Sequence, residues 1–356
     1  MDGLPRNDSN VSLTATRTAQ LEQLSSLSLT LRALRPFLRT DVTELCINRP
    51  GEVFLETRTG WERHALPFAD FHWCYRLAKL IANSTKQRIT EESPVLSAAL
   101  PTGERVQVVI PPATTPGCVA LTVRRPADVV WSLQEMAQAG IFDTARQSTE
   151  TLDETEETLL RLLAARDYET FMVTAVRARK NIVVSGQTGS GKTTFTKALI
   201  GAIPSHERLV TIEDAPELVL ANHPNHVRLF YSKGDQGQAR VTPRQLLESC
   251  LRMRPDRILL AELRSDEAFD YLRNANSGHP GSITSVHASS AQLAFEQLTL
   301  LVKQSQAGGD LPREEIKQLL YTLIDIVVQF SVVNHRRSVS EIWYEPARKR
   351  ALAAGA

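Results

Sequence analysis

Gly186, Gln187, Thr188, Gly189, Ser190, Gly191, Lys192 and Thr193 run consecutively and fit the pattern G-x-x-x-x-G-K-[ST]. The pattern is that of a phosphate cradle. Its glycines let the backbone fold tightly enough for several amides to point inward, and a helix opening at the lysine adds the partial positive charge of its N-terminus. Lys192 is placed to reach the β- and γ-phosphates of a nucleotide, and the Thr193 hydroxyl to ligate Mg2+, with Thr194 next in the first helical turn. The apolar NIVVS before the loop and FTKALIGAI after it supply the strand and helix that the motif requires. ATP and Mg2+ are the ligands this chemistry calls for.

Hydrolysis also needs carboxylates, for the metal and for the attacking water. Two groups stand at the ends of apolar runs: Glu213 and Asp214, with Glu217, in TIEDAPEL, and Glu262 in RILLAEL. In a parallel sheet the C-terminal ends of strands share an edge with the phosphate loop, so both groups are within reach of it. Ala261 occupies the position before Glu262 where phosphate-loop enzymes usually carry an aspartate. Metal ligation is therefore expected from Thr193 with Glu213 and Asp214, and either Glu262 or Glu213 is the candidate base. Gly278-His279-Pro280-Gly281 leads into SITSVHA, which sets His287 at the end of a further apolar run as a candidate phosphate or interface sensor.

From Tyr168 onward, short apolar runs (NIVVSG, RLVTI, RILLAEL, SITSVHA) alternate with helical segments, which predicts an α/β domain with a mainly parallel sheet and crossover helices. The first half reads differently. Residues 1–18 form a polar, disordered lead; Ala19–Leu38 carries leucines at helical spacing, with Pro36 fraying its end. ELCIN, EVFLE, a Thr59-Gly60 turn and WERHAL then suggest antiparallel strands, followed by a helix near Phe71–Ala82 and strands at VLSAAL, ERVQVVI and CVALTVRR. The expected organisation is an N-terminal α+β domain over 19–125, a linker over 126–157 and the phosphate-loop domain over 158–350. The acidic run Asp153, Glu154, Glu156, Glu157 fits first-turn carboxylates at a helix N-terminus.

The 356 residues suit two domains. With 41 Lys plus Arg against 40 Asp plus Glu, the net charge of +1 gives no global attraction to nucleic acid, and no basic stripe interleaved with aromatics appears, so sequence-specific nucleic-acid binding is not expected. The longest uncharged apolar stretch, Val106–Val123, is broken by Pro111, Pro112, Pro116 and Gly117, and the polar start MDGLPRNDSN lacks an apolar signal core. A cytoplasmic chain with at most peripheral membrane contact is expected. Cys46, Cys74, Cys118 and Cys250 form no C-x-x-C pair, which argues against structural zinc and a disulfide framework.

Taken together, GQTGSGKTT, TIEDAPEL, LRMRPDRILLAELR and SGHPGSITSVHA resemble the secretion ATPase superfamily, in that order, over Asn181–Ala288. The resemblance implies a RecA-like core and extends more weakly to LPTGERVQVVIPP and LTVRRP, whose Arg105 and Arg124 correspond to arginines that approach the nucleotide at a domain and subunit boundary. The chain looks most like the VirB-type traffic ATPases of type IV secretion, the eleventh component of that system: it has no four-cysteine zinc module, as in type II secretion motors, and no AIRNLI-like segment after Ala288, as in retraction motors. The resemblance implies a homohexamer peripheral to the inner membrane that works with other secretion components to assemble pili and export protein or nucleoprotein substrates. A related pilus or type II motor, a nucleic-acid translocase and a nucleotide-gated scaffold are the other readings.

Overall fold

Short apolar runs separated by turn residues from Glu44 onward fold into six antiparallel strands: β1 Glu44–Ile47, β2 Gly51–Thr57, β3 Gly60–Leu66, β4 Val95–Ala99, β5 Arg105–Val109 and β6 Ala120–Arg124. In this computed structural model, which describes residues 25–126, 131–145, 151–232, 237–265, 267–275 and 278–354, their order is β3-β2-β1-β6-β5-β4. Thr57 pairs with Gly60 to close the first hairpin, and Gly60 holds a φ of +117° that a side chain would resist. The helix Phe71–Ser84 starts where the Asp70 carboxylate accepts a hydrogen bond from the Trp73 amide at 2.7 Å. Cys74, Leu77, Ala78, Ile81 and Ala82 recur at helical spacing and are buried in one core with Leu45, Val53, Val106 and Leu121 of the sheet.

The leucine-rich segment expected as a helix over Ala19–Leu38 is shorter where it is described. A helix runs from Ser26 to Arg32 and a 3-10 turn from Arg35 to Phe37, with Pro36 inside that turn. Proline has no N–H to continue the helical ladder, so the element ends early. The polar lead, 1–18, lies outside the described residues. So do parts of the expected linker; its described portion includes the helix Leu133–Gln138, capped reciprocally by Ser132 and Glu135. The acidic run opens the helix Glu154–Ala164: the Asp153 carboxylate accepts from the Glu156 amide at 2.8 Å, and the Asp153 amide donates to Glu156 at 3.1 Å.

The chain divides into two compact units, one of Met1–Pro111 with Gly117–Pro126, the other of Pro112–Pro116 with Ala127–Ala356. The second contains β7 Ile182–Gly186, β8 Leu209–Glu213, β9 His226–Phe230, β10 Arg257–Leu260, β11 Ile283–Val286, β12 Ile326–Val333 and β13 Arg336–Trp343. β10-β8-β9 and β11-β7-β12-β13 form two ladders, parallel throughout except for the antiparallel hairpin of β12 with β13. The Leu263 amide donates to Ser285 O at 2.9 Å and the Ser285 hydroxyl to Ala261 O at 3.0 Å, which joins the ends of β10 and β11. Every residue of β7, β8, β10 and β11 is buried, as a parallel sheet covered on both faces requires. The ends of β10, β11 and β7 therefore follow one another along one edge.

At the other end of β10, Arg257 is fully buried and forms a bidentate pair with Glu207 at 2.8 and 2.9 Å, while also donating to Val176 O at 2.8 Å. Burial raises the Glu207 pKa, but Arg257 and Arg179 outweigh it and hold the carboxyl below its ordinary value. Gly281, at φ +87°, passes over this pair so closely that a Cβ would stand 2.7 Å from Arg257 Nη1. That contact explains the second glycine of Gly278-His279-Pro280-Gly281 and fixes where β11 begins.

Candidate active site

The loop between β7 and the helix Lys192–Gly201 is shaped by Gly186, Gly189 and Gly191, with φ of +154°, +74° and +102°. A Cβ on Gly186 would lie 2.9 Å from the Phe330 carbonyl oxygen and 2.8 Å from Ser190 Oγ, so that glycine is required by close approach to β12. Gln187, Thr188, Gly189, Thr193 and Thr194 are exposed along the rim, while Ser190 and Lys192 are buried. Lys192 Nζ donates to Gly186 O at 2.7 Å and Gln187 O at 3.0 Å, which holds the ammonium across the loop. Burial lowers its pKa, opposed by the charge of Glu262 and reinforced by that of Arg264. An anion in the loop would supply the charge that this cation lacks.

Lys192 Nζ also lies 3.3 Å from His287 Nδ1, and His287 Nε2 lies 2.5 Å from Glu262 Oε1. The imidazole thus stands between the ammonium and the carboxylate, with one ring nitrogen toward each. Lys192 at the helix start, His287 after β11 and Glu262 after β10 meet in one cluster of close polar contacts. Arg264 pairs with Glu262 as well and reaches Asp214 Oδ2 at 3.4 Å. These contacts raise the already high pKa of the guanidinium, the hydrogen bond to Glu262 contributing most.

Glu213 is placed quite differently. It is fully buried, and its oxygens accept from Arg228 Nε and Nη2 at 2.9 and 2.8 Å, from Thr211 Oγ1 at 2.6 Å and from the Glu217 and Leu218 amides at 2.9 Å each. Five donors leave it little capacity for a metal or a water. The expected metal set of Thr193, Glu213 and Asp214 is not brought together: Asp214 faces Arg264, and the carboxylate facing Thr193 Oγ1, at 3.5 Å, is that of Glu217. Thr193, Glu217, Ala261, Glu262 and Ser285 line one cleft. Its hard oxygen donors fit Mg2+, which binds few protein ligands and keeps water and phosphate oxygens for the rest. Among the described residues no cluster of three or more His, Cys, Asp or Glu is arranged to hold a metal by itself.

Arg105 and Arg124 lie in the first unit, directly opposite each other on β5 and β6. Such like-charged neighbours repel unless neutralised. Arg124 Nε approaches Glu44 Oε1 at 3.4 Å, and Glu44 is Arg124's register partner on β1. Three further participants were not singled out for roles by sequence reasoning: Arg264, Arg228 and, as Thr193's partner, Glu217. The spacing Glu262-x-Arg264 was the available signal for the first, since residues two apart leave a strand end on the same side.

A glycine-shaped loop on a parallel sheet, with a lysine at the start of the following helix and a histidine and a cleft-lining glutamate beyond adjacent strand ends, defines a P-loop ATPase. The family model described as "Type II/IV secretion system protein" matches residues 30–336. The type IV secretion system protein VirB11 of Bartonella henselae is 46% identical over 337 residues, covering 91% of this chain and 94% of that protein. VirB11 of Brucella suis is 47% identical over 341 residues, covering 94% of each, and PtlH of Bordetella pertussis is 42% identical over 332, covering 91% and 96%. The crystal structure of the Brucella suis VirB11 ATPase in complex with sulphate aligns with a TM-score of 0.87 at 47% identity, covering 92% of this chain and all of that one. The chain belongs to the type II/IV secretion system protein family, within it to the VirB11-type ATPases of type IV secretion.

Proposed function

We propose that the chain binds MgATP at Gly186–Thr194, in a RecA-like domain, and hydrolyses it as a homohexamer docked peripherally at the cytoplasmic face of the inner membrane. There it works with other type IV secretion components on pilus assembly and on export of protein or nucleoprotein substrates. The observation that carries the catalytic reading is the close approach of Lys192, at the start of the helix after the loop, to His287, and of His287 to Glu262, beyond the ends of β11 and β10. The sulphate complex of the Brucella suis relative, a tetrahedral dianion on a close structural match, supports an anion site. No helix among the described residues is long and apolar enough to cross a membrane, which is compatible with peripheral docking.

In this reading Glu262 takes a proton from the water that attacks the γ-phosphorus, the bond to the β–γ bridging oxygen breaks, and ADP and phosphate leave. His287 stands against the Glu262 carboxylate and positions it, and Lys192 meets the charge on the phosphates. Mg2+ supplies charge neutralisation when bound, with Thr193 and Glu217 as the residues to hold it. Glu213 anchors the segment that carries Glu217. Arg105 and Arg124 are proposed to bring positive charge to the phosphates of a neighbouring protomer. Lys192→Ala tests the site: steady-state phosphate release should fall roughly a hundredfold or more. Near-normal turnover by a folded variant would sink the proposal.

A further inference from the structure

The β12–β13 hairpin turns at Asn334 and His335, both with positive φ, and carries Arg336 and Arg337 on its exposed return strand. A two-residue turn of this kind matches the twist of the strands it joins, so Arg337 is set in register opposite Val332. There it lies against the phosphate loop. A Cβ on Gly191, the residue that caps the loop's helix, would stand 3.5 Å from Arg337 Cδ and 4.0 Å from its Cβ, and 4.0 Å from Phe330 Cδ1. The methylene stem of Arg337 thus covers the backbone of the helix N-terminus, and the Phe195–Phe330 ring pair, 5.0 Å between centroids, extends the same wall. Among the described residues the Arg337 guanidinium has no ion-pair partner, although the side chain is exposed beside an anion site.

Strand order says which part of a nucleotide this arginine meets. β11 and β10, bearing His287 and Glu262, lie on one side of β7; β12 and β13 lie on the other. A nucleotide with its γ-phosphate toward Glu262 extends the rest of its phosphate chain away from that side, past the helix N-terminus and toward the hairpin. The geometry points to Arg337 as a contact for the α- and β-phosphates, the part common to ATP and ADP. The inference rests on nucleotide binding at the 186–194 loop. A guanidinium there grips both nucleotides alike, which is uniform binding: it raises affinity without accelerating the chemical step. Arg336, one residue away, points to the opposite face of the strand.

Calorimetry on the full chain with ADP and with a non-hydrolysable ATP analogue tests this, beside steady-state turnover. Arg337→Ala should raise Kd for both nucleotides by roughly tenfold, as expected for one charge-assisted contact, and raise KM similarly, with kcat falling less than about threefold. Arg337→Lys should recover part of the affinity and Arg336→Ala should bind as the wild type does. Unchanged Kd in Arg337→Ala overturns the assignment. So does a loss confined to the ATP analogue together with a collapse of kcat, which would put the guanidinium at the γ-phosphate, or an equal loss in Arg336→Ala, which would mean a diffuse charge effect. Lys192→Ala is the control for the underlying site: undiminished binding there would remove the loop reading itself, whatever Arg337 does.

Discussion

Glu213 and Glu262 end or follow neighbouring parallel strands, yet their surroundings give the two carboxylates different work. The first is enclosed by five donors; the second holds His287 and Arg264 beside the cleft. Glu213→Gln should therefore act on stability first. Removing its charge deprives Arg228 of a bidentate partner and weakens the hold on the Glu217 and Leu218 amides, at a cost of about 2–4 kcal/mol in chemical denaturation. If that variant keeps wild-type stability while losing hydrolysis, Glu213 is the base and the assignment to Glu262 fails. At this scale the phosphate loop was legible in the sequence because its eight residues are contiguous and each type has a local reason. The partners Arg228, Arg264 and Glu217 were not, because which side chains meet across strands depends on strand order, and TIEDAPEL offers three carboxylates that only the fold distinguishes.

Among the elements, β7, β8, β10 and β11 were readable as short apolar runs because a buried parallel strand needs little else. β9 was missed: His226–Phe230 alternates buried with half-buried residues, the pattern of a sheet's outer strand, and lacks a continuous apolar run. The β12–β13 hairpin escaped as well, since its turn is Asn334-His335 without the glycine that marks most such turns, and β13 is almost wholly polar and exposed. The edge that carries the site depends in turn on the buried Arg257–Glu207 pair at the opposite end of β10. Arg257→Ala should lose about 3–5 kcal/mol at pH 7 by leaving a buried carboxylate without its bidentate partner, paired only through the half-exposed Arg179 among the described arginines and lysines. The pH dependence has a definite sign. Because the folded Glu207 pKa is depressed, its contribution is complete above the ordinary glutamate value and disappears as pH falls through the lower folded value. Denaturation curves of wild type and variant should thus converge on acidification below about pH 4; a gap that persists unchanged would contradict the pair's role.

For the whole molecule, the proposed ring carries one site per protomer, and the proposed role of Arg124 has each protomer complete its neighbour's site. Arg124→Ala and Lys192→Ala should each be inactive alone, yet mixed assemblies contain interfaces with both groups intact and should regain phosphate release. No recovery in assemblies shown by mass to be mixed would argue that Arg124 serves its own chain or none. Beneath the ring stands a simpler claim, that Glu262 is the group that activates water. Single-turnover hydrolysis by full-length Glu262→Gln, with nucleotide affinity measured on the same preparation, tests it most directly. Binding should stay within about threefold of wild type while the chemical step slows by roughly two to four orders of magnitude. Hydrolysis at the wild-type rate, or a loss explained wholly by lost binding, would contradict the account.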